Sequence, residues 1–425
     1  MEPVGCGDPH EEIGRGKDPL DALSGRSVFI ETYGCRYNFG DTAKLAEILR
    51  HRGGTIVQDP EEAEAVIINT CTVVGPTERR MLRRLAGFRD HNLYITGCMS
   101  KIQREAILAV CSPTIIPPEI IHDLYRFVGT VTGGGVGIVQ LAQGCTGNCT
   151  YCITRFARGP LKCFSKEEIL TQVQAFVRAG TYEIQLTAQD VSAWGMDTGH
   201  SLPELLVALD KIPGRHRIRV GMMNPATVKE QTRELVDAFS GDHIFRFIHL
   251  PVQSGSDAVL HRMGRGYTVA DFEEIVRSFR NLHPGITVAT DMIVGFCGET
   301  EADFSASLDL IRRVKPAKVN VTRYSPRPFT SLAGEKDFPD SVKKDRSRTM
   351  NSVAEEIYAS LNTVQLGKTV PFMVTETLRK GSVMARSPDY TGIVIREDLP
   401  AGFCGDALLI KDRKYFFIGE RVRSS

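Results

Sequence analysis

Between residues 27 and 98, three apolar runs end the same way. "SVFIETYGC" leads to Cys35, "AVIINTC" to Cys71 and "NLYITGC" to Cys98. Short, nearly continuous apolar runs of this kind predict buried strands of a parallel sheet. From about Asp41 to Arg52 the spacing is helical, and Gly53 and Gly54 give a stop signal. Residues 75–90 read as a basic helix. Alternating strands and helices predict an α/β layer, whose strands present their carboxyl ends along one ligand-binding edge. Three thiols distant in sequence would then converge. The bland alternative is three buried cysteines, which are common in cores.

From Val136 to about Tyr324 the alternation repeats six times. Strands are predicted at 137–142, 183–187, 217–221, 245–250, 287–294 and 319–324. Amphipathic helices are predicted at about 165–179, 202–211, 228–240, 269–283 and 301–314. Six βα units with short loops predict a partial parallel barrel, with its site at the strand carboxyl ends. Residues 340–363 read as a closing helix. From about Gly367 the period changes to two, with strands in "TVPFMVTETL", "YTGIVIRE", "ALLIKDR" and "YFFIGERV". That pattern predicts a small all-β barrel. It carries ten Lys and Arg against seven Asp and Glu, with Tyr390, Tyr415, Phe416 and Phe417. Basic residues with aromatics suit nucleic acid, though a purely structural β module reads almost the same.

The expected organisation is a disordered extension over 1–25, a first domain over 26–128, a linker over 129–136, a barrel over 137–363 and a small domain over 364–425. The linker "VTGGGVG" lacks the Lys and the helix start of a phosphate-binding loop. The first residues lack the apolar core of a secretory signal, and no apolar run is long enough to span a bilayer. A net charge of +1 over 425 residues argues for no particular polyanion, since a basic patch fits inside a neutral total. The expectation is therefore a cytoplasmic protein, in which eleven cysteines are thiolate ligands or buried thiols rather than disulfides.

One stretch concentrates thiols: "LAQGCTGNCTYC", with Cys145, Cys149 and Cys152 directly after the first barrel strand. The C-x3-C-x2-C spacing does not fit zinc, which wants four ligands in paired C-x2-C units. Three thiolates hold three irons of a 4Fe–4S cluster and leave the fourth open. An open iron chelates the amino and carboxylate groups of S-adenosylmethionine beside a one-electron donor. This spacing is the radical-SAM signature, and Tyr151 before the last cysteine fits it.

The whole chain after its first residues resembles the radical-SAM methylthiotransferase family. "ETYGCRYN", "INTCTV" and "ITGCMS" look like the three cysteine motifs of that family's N-terminal domain. "GCTGNCTYC", "ARG", "MNP", "HLPVQSGSD", "TDMIVGF" and "YSPRP" look like its core. The resemblance implies a flavodoxin- or Rossmann-like sheet, a partial (β/α)6 barrel and a terminal TRAM barrel that binds RNA. "IETYGC", "LTAQDVSAWG" and "HLPVQSGSD" most resemble the archaeal and eukaryotic branch, which methylthiolates N6-threonylcarbamoyladenosine at tRNA position 37.

The resemblance also implies roles. Cys145, Cys149 and Cys152 would hold the radical-SAM cluster. Cys35, Cys71 and Cys98 would hold a second 4Fe–4S cluster, where sulfur is carried and methylated. One S-adenosylmethionine gives its methyl group and another the radical. Gln189 and Asp190 end the second strand, where the methionine amino group binds. Gln253 and Ser254 would meet ribose or carboxylate. "TDMIVGFCGET", through Asp291, Ile293, Gly295, Gly298 and Glu299, would cradle adenine, with Cys297 where the family pattern has Pro. Cys6, Cys111, Cys163, Cys297 and Cys404 match no cluster-ligand position of the family and read as structural or incidental.

An unpaired anticodon-loop base is the expected target. Arg79, Arg80, Arg83, Arg84, Arg155, Arg158 and Lys162 are candidates for holding phosphates, and Arg323 and Arg327 are better placed. The expected electron donor is a ferredoxin or flavodoxin, with no membrane partner, and the working expectation is a monomer. Two alternatives stay open. One is the same chemistry on isopentenyladenosine-37 of tRNA or on a ribosomal-protein aspartate. The other is a non-catalytic iron–sulfur protein that binds RNA.

Overall fold

The computed structural model describes residues 18–72, 75–125 and 135–423. The chain divides into two compact units. One contains residues up to 33, 41–71 and 80–129; the other contains 34–40, 72–79 and 130 onward. The predicted linker lies mostly outside the described residues, as do residues 1–17 and Cys6.

The first unit is built on five parallel strands: β1 (Ser27–Thr32), β2 (Thr55–Val57), β3 (Ala65–Thr70), β4 (Leu93–Gly97) and β5 (Thr114–Ile115). Their order is β2-β1-β3-β4-β5. Every residue of β3 and β4 is buried, because both faces are covered. Leu45, Ile48 and Leu49 pack on one face with Val28 and Ile67. Met81 and Leu85 pack on the other with Val66 and Ile68. One expectation fails here. Residues 18–25 are not part of a disordered extension: Asp21–Leu23 form a helical turn, and Leu20 and Leu23 are fully buried in the first of these cores. Two leucines three apart point the same way in a helical turn, and their burial orders the segment.

The second unit holds the partial barrel. Its strands are β6 (Val136–Gln140), then a short hairpin of β7 (Ala142–Gln143) and β8 (Lys162–Cys163), then β9 (Glu183–Thr187), β10 (Arg217–Arg219), β11 (Phe247–His249), β12 (Thr287–Val294) and β13 (Lys318–Arg323). β6, β9 and β10 form one parallel sheet, and β11, β12 and β13 another. Parallel bridges from Ile218 to Ile244 and from Met222 to His249 join the two into six consecutive strands. Ile184, Leu186, Ile218, Ile248, Val288 and Val319 face outward into the core shared with the helices. The predicted helix at 228–240 is two pieces, Pro225–Lys229 and Thr232–Ala238. A further helix, Asp257–Arg262, follows β11. The closing helix spans Asp340–Thr363.

The last segment is a closed barrel of β14 (Thr369–Arg379), β15 (Ser382–Arg386), β16 (Gly392–Ile395), β17 (Cys404–Asp412) and β18 (Phe417–Val422), in the order β14-β15-β16-β18-β17. The sequence pattern missed β15. "SVMAR" is short and follows a two-residue turn at Lys380 and Gly381, so it merged with the preceding run. Among the described residues, no helix is long and apolar enough to cross a membrane.

Candidate active site

The cysteine loop is shaped by glycines and braced by neighbouring strand ends. Gly144 has φ of +80°, and a Cβ there would lie 1.9 Å from the Pro160 carbonyl oxygen, so only glycine fits. Its N–H donates to Gln189 Oε1 at 2.7 Å. The Thr150 hydroxyl donates to the Arg262 carbonyl at 2.8 Å, and the Thr150 N–H to the Met263 carbonyl at 3.0 Å. Two sulfurs face one small space: a Cβ on Gly147 would lie 3.3 Å from Cys145 Sγ and 3.8 Å from Cys149 Sγ. The Gly147 N–H donates to Cys145 Sγ at 3.2 Å. Burial pushes the Cys145 thiol up to about 11, the Gly147 N–H pulls it back, and Asp190, Cys152 and Cys149 add to the rise. Cys145 therefore lies within electrostatic reach of Cys149 and Cys152. Burial disfavours the bare Cys145 thiolate, and a positively charged iron centre would favour it. Among the described residues, no three His, Cys, Asp or Glu side chains are gathered closely enough to enclose a single ion. The space left at Gly147 and the donor to sulfur fit a larger cluster.

Arg265 stands beside this loop, and the sequence reading missed it. Its Nη1 donates to Cys149 Sγ at 3.3 Å and its Nη2 to Asn224 Oδ1 at 2.9 Å. Burial pulls the guanidinium down, but Tyr267, Tyr151 and Cys149 outweigh it, so it stays charged. It is the cation that a thiolate beside it needs. Arg265 follows the helix after β11, whereas Cys149 follows β6, so no local motif could link them.

The predicted cofactor residues fall at the strand ends but differ in what they do. Asp190 is buried and saturated: Oδ1 accepts from the backbone of Ser192 and Asn224 and from the Ser192 hydroxyl, and Oδ2 from Thr227. It holds the ends of β9 and β10 together. Ser254 is fully buried and accepts from the Ser256 N–H at 3.2 Å, so it braces its own turn. Gln253 has φ of +73° and pairs through its backbone with Asp291 and Ile293. Glu299 folds back on the glycine loop. Its carboxylate accepts from the Gly295 N–H at 2.8 Å and from Arg346 Nη1 at 2.5 Å. Burial raises this carboxyl, and Gly295 and Arg346 counter only part of the rise. Cys297 is buried among Val259, Met263, Phe296 and Tyr324.

Two of the RNA candidates are corrected. Arg158 is 2 % exposed; its Nη2 donates to Asn38 Oδ1 at 2.8 Å and its guanidinium stacks on Tyr37. Arg327 is 5 % exposed and paired with Glu78 and Thr72. Both bind residues of 34–40 and 72–79, which belong to the same compact unit, so neither is available to phosphate. Arg155 is exposed and bonded to Asn148, and Arg323 is half-buried.

In the first unit, Cys71 and Cys98 directly follow β3 and β4. Thr70 pairs with Gly97 in register, so the two cysteines leave the sheet side by side. Gly97, with φ of +87°, brings that corner close: a Cβ would lie 2.3 Å from the Thr70 carbonyl. Cys35 lies three residues beyond β1, whose Thr32 pairs with Asn69. The three cysteines thus follow the carboxyl ends of three adjacent strands.

Two family descriptions match the chain: the radical SAM superfamily over residues 139–311, and uncharacterized protein family UPF0004 over 27–115. A protein of Pyrococcus horikoshii called a probable threonylcarbamoyladenosine tRNA methylthiotransferase is 39% identical over 397 residues, covering 87% of this chain and 93% of its own. The chain belongs to the radical-SAM methylthiotransferase family, in its archaeal and eukaryotic threonylcarbamoyladenosine branch. A human protein called threonylcarbamoyladenosine tRNA methylthiotransferase is 31% identical over 360 residues, covering 77% of this chain and 62% of that one. Among solved structures, the radical S-adenosylmethionine methyltransferase TsrM of Kitasatospora setae is similar in fold, with TM-score 0.54 at 14% identity, covering 72% of this chain and 75% of that one. Membership of this radical-SAM family brings S-adenosylmethionine and 4Fe–4S clusters as cofactors.

Proposed function

We propose that this protein methylthiolates C2 of N6-threonylcarbamoyladenosine at position 37 of tRNA. The observation that carries the reading is the loop at Cys145, Cys149 and Cys152, which offers three thiols and no fourth to an iron cluster, in a chain whose relatives are named for this reaction. Replacing an aromatic C–H by C–SCH3 is beyond any protein acid or base and needs a cofactor-generated radical. A cluster on these cysteines would supply the electron that splits S-adenosylmethionine, and a second on Cys35, Cys71 and Cys98 the site of sulfur transfer.

The chain's own residues orient and protect. Arg265 donates to the Cys149 sulfur and positions it, Gln189 fixes the loop at Gly144, and Asp190 sets the strand ends beneath it. Glu299 and Arg346 keep the Gly295 loop in shape for an adenine contact. Gln253, Ile293 and Gly295 offer backbone groups there. Of the RNA candidates, Arg79, Arg80, Arg83, Arg155 and Lys162 are exposed and Arg323 is half-buried, with the terminal β barrel as the wider RNA surface. A ferredoxin or flavodoxin as reductant, a cytoplasmic setting and a monomeric state complete the proposal.

The test is nucleoside analysis of tRNA from cells that make N6-threonylcarbamoyladenosine but lack their own methylthiotransferase. Expression should convert that nucleoside to its 2-methylthio form. Methylthiolation of isopentenyladenosine instead, or no new nucleoside at all, would refute the assignment.

A further inference from the structure

The lumen of the partial barrel is more polar than a structural core requires. Its inward positions include Glu183 and Gln185 on β9, Arg219 on β10, Phe247 and His249 on β11, Asp291 on β12, and Lys318 and Asn320 on β13, while the alternate positions fill the apolar core outside. The floor comes from the terminal barrel. Tyr390, in the loop between β15 and β16, has φ of +68° and places its ring 5.0 Å from Phe247 and 4.9 Å from Phe245. Its hydroxyl donates to Glu183 at 2.5 Å and accepts from Gln185 at 3.1 Å.

The charges here do not balance locally. Glu183 is shared among Tyr390, Gln185 and Arg386, the last at 3.5 Å. Asp291 is taken by His249 Nε2 at 2.8 Å and Asn320 Nδ2 at 2.6 Å. Two cations, Arg219 and Lys318, pair directly with neither carboxylate. Arg219 stacks on Phe247 at 4.8 Å and on Tyr390 at 5.4 Å, and it makes no hydrogen bond or ion pair with a described residue. Lys318 likewise has no ion-pair partner among the described residues. Burial pulls both groups down, and Arg219 lowers Lys318 further. Arg219 is half-buried and Lys318 lies exposed at the rim; Glu183 and Asp291 reach them only through space, so an arriving anion gains most at the half-buried guanidinium.

We propose that Arg219, with Lys318 as the second cation, reads the carboxylate of the threonylcarbamoyl group on the target adenosine. This rests on the function proposed above and names the residue that selects the substrate. A guanidinium clamped over two rings presents its N–H edge in a fixed plane, and that edge matches a carboxylate with two parallel hydrogen bonds. An adenosine with a neutral alkyl group in the same place would shut Arg219 off from water without a partner, so the site selects against it. Because Tyr390 belongs to the terminal barrel, that domain then shapes the substrate pocket as well as carrying a surface for RNA.

The experiment compares two anticodon-loop RNAs, one with N6-threonylcarbamoyladenosine and one with its neutral methyl ester. Methylthiolation rate and equilibrium binding are measured on reconstituted full-length protein. Wild type should prefer the acid by about a hundredfold or more. Arg219→Gln should bring the acid-to-ester ratio to within about threefold, and Arg219→Lys should recover part of it by keeping the charge without the fork. The ratio does not depend on the fraction of active protein, and the binding ratio reads the same selectivity should Arg219→Gln turn over neither RNA. A variant ratio equal to that of wild type overturns the assignment of Arg219. So does wild type that modifies acid and ester alike, although the methylthiolation function then stands. Wild type that modifies neither RNA defeats the function and this reading together.

Discussion

The two cysteine sets are assembled in opposite ways. Cys145, Cys149 and Cys152 occupy eight residues of one loop, and their geometry is made locally, by Gly144, Gly147 and a brace from Arg265. Cys35, Cys71 and Cys98 are spread over 64 residues, and what relates them is the sheet order, since each follows the carboxyl end of one of the adjacent strands β1, β3 and β4. The loop can be disturbed by altering one neighbour. The dispersed set depends on the register of a buried sheet, so it should tolerate surface changes and fail when the strand ends move.

Cys149→Ala should reduce both 5′-deoxyadenosine formation and methylthiolation to background, measured on anaerobically reconstituted protein. Persistence of 5′-deoxyadenosine would show that the loop is not the radical site. Arg265→Leu should lower cluster occupancy or both products by about 10- to 100-fold, as loss of an outer-shell partner does elsewhere. An unchanged iron content and unchanged rates would mean that the bond to Cys149 Sγ carries no weight.

Changes that touch neither set should lower stability while leaving the ratio of the two products alone. Arg346→Met leaves Glu299, whose side chain is 1 % exposed, buried without its cation. The expected cost is about 3–5 kcal/mol in denaturant unfolding. His216 gives the smallest effect. It is 2 % exposed and stacked on His243 at 4.2 Å, and burial lowers it to about 4. Its folded value lies below its unfolded one, so the neutral ring costs nothing above about pH 6.5. As pH falls from there towards 4 the unfolded chain takes the proton first, and stability drops by at most roughly 3 kcal/mol. His216→Phe should flatten that slope, as read by melting temperature across the same range; an identical slope would remove His216 as its source.

Much of this was legible in sequence because the deciding signals are local. The strand periods, the capped helices and the spacing of three thiols each lie within one short window. Ser165, Thr268 and Thr300, for example, start their helices with capping boxes a few residues long. What escaped was of longer range. Arg265 reaches Cys149 across 116 positions, and Arg219 meets Tyr390 across 171. Arg158 and Arg327 looked like surface charges because nothing nearby in sequence shows Asn38, Tyr37 or Glu78 waiting for them. Asp190, Ser254 and Glu299 carry bonds that no local pattern shows: their polar atoms hold strand ends and loops.

The contrast between the two sets is tested most directly by Cys71→Ala, with 5′-deoxyadenosine and the methylthiolated nucleoside quantified in the same reaction. Cys71→Ala should form 5′-deoxyadenosine yet insert no methylthio group, because it leaves the loop of Cys145, Cys149 and Cys152 whole. Loss of 5′-deoxyadenosine as well, in protein whose loop cluster is intact by iron analysis, would contradict separate roles for the two sets.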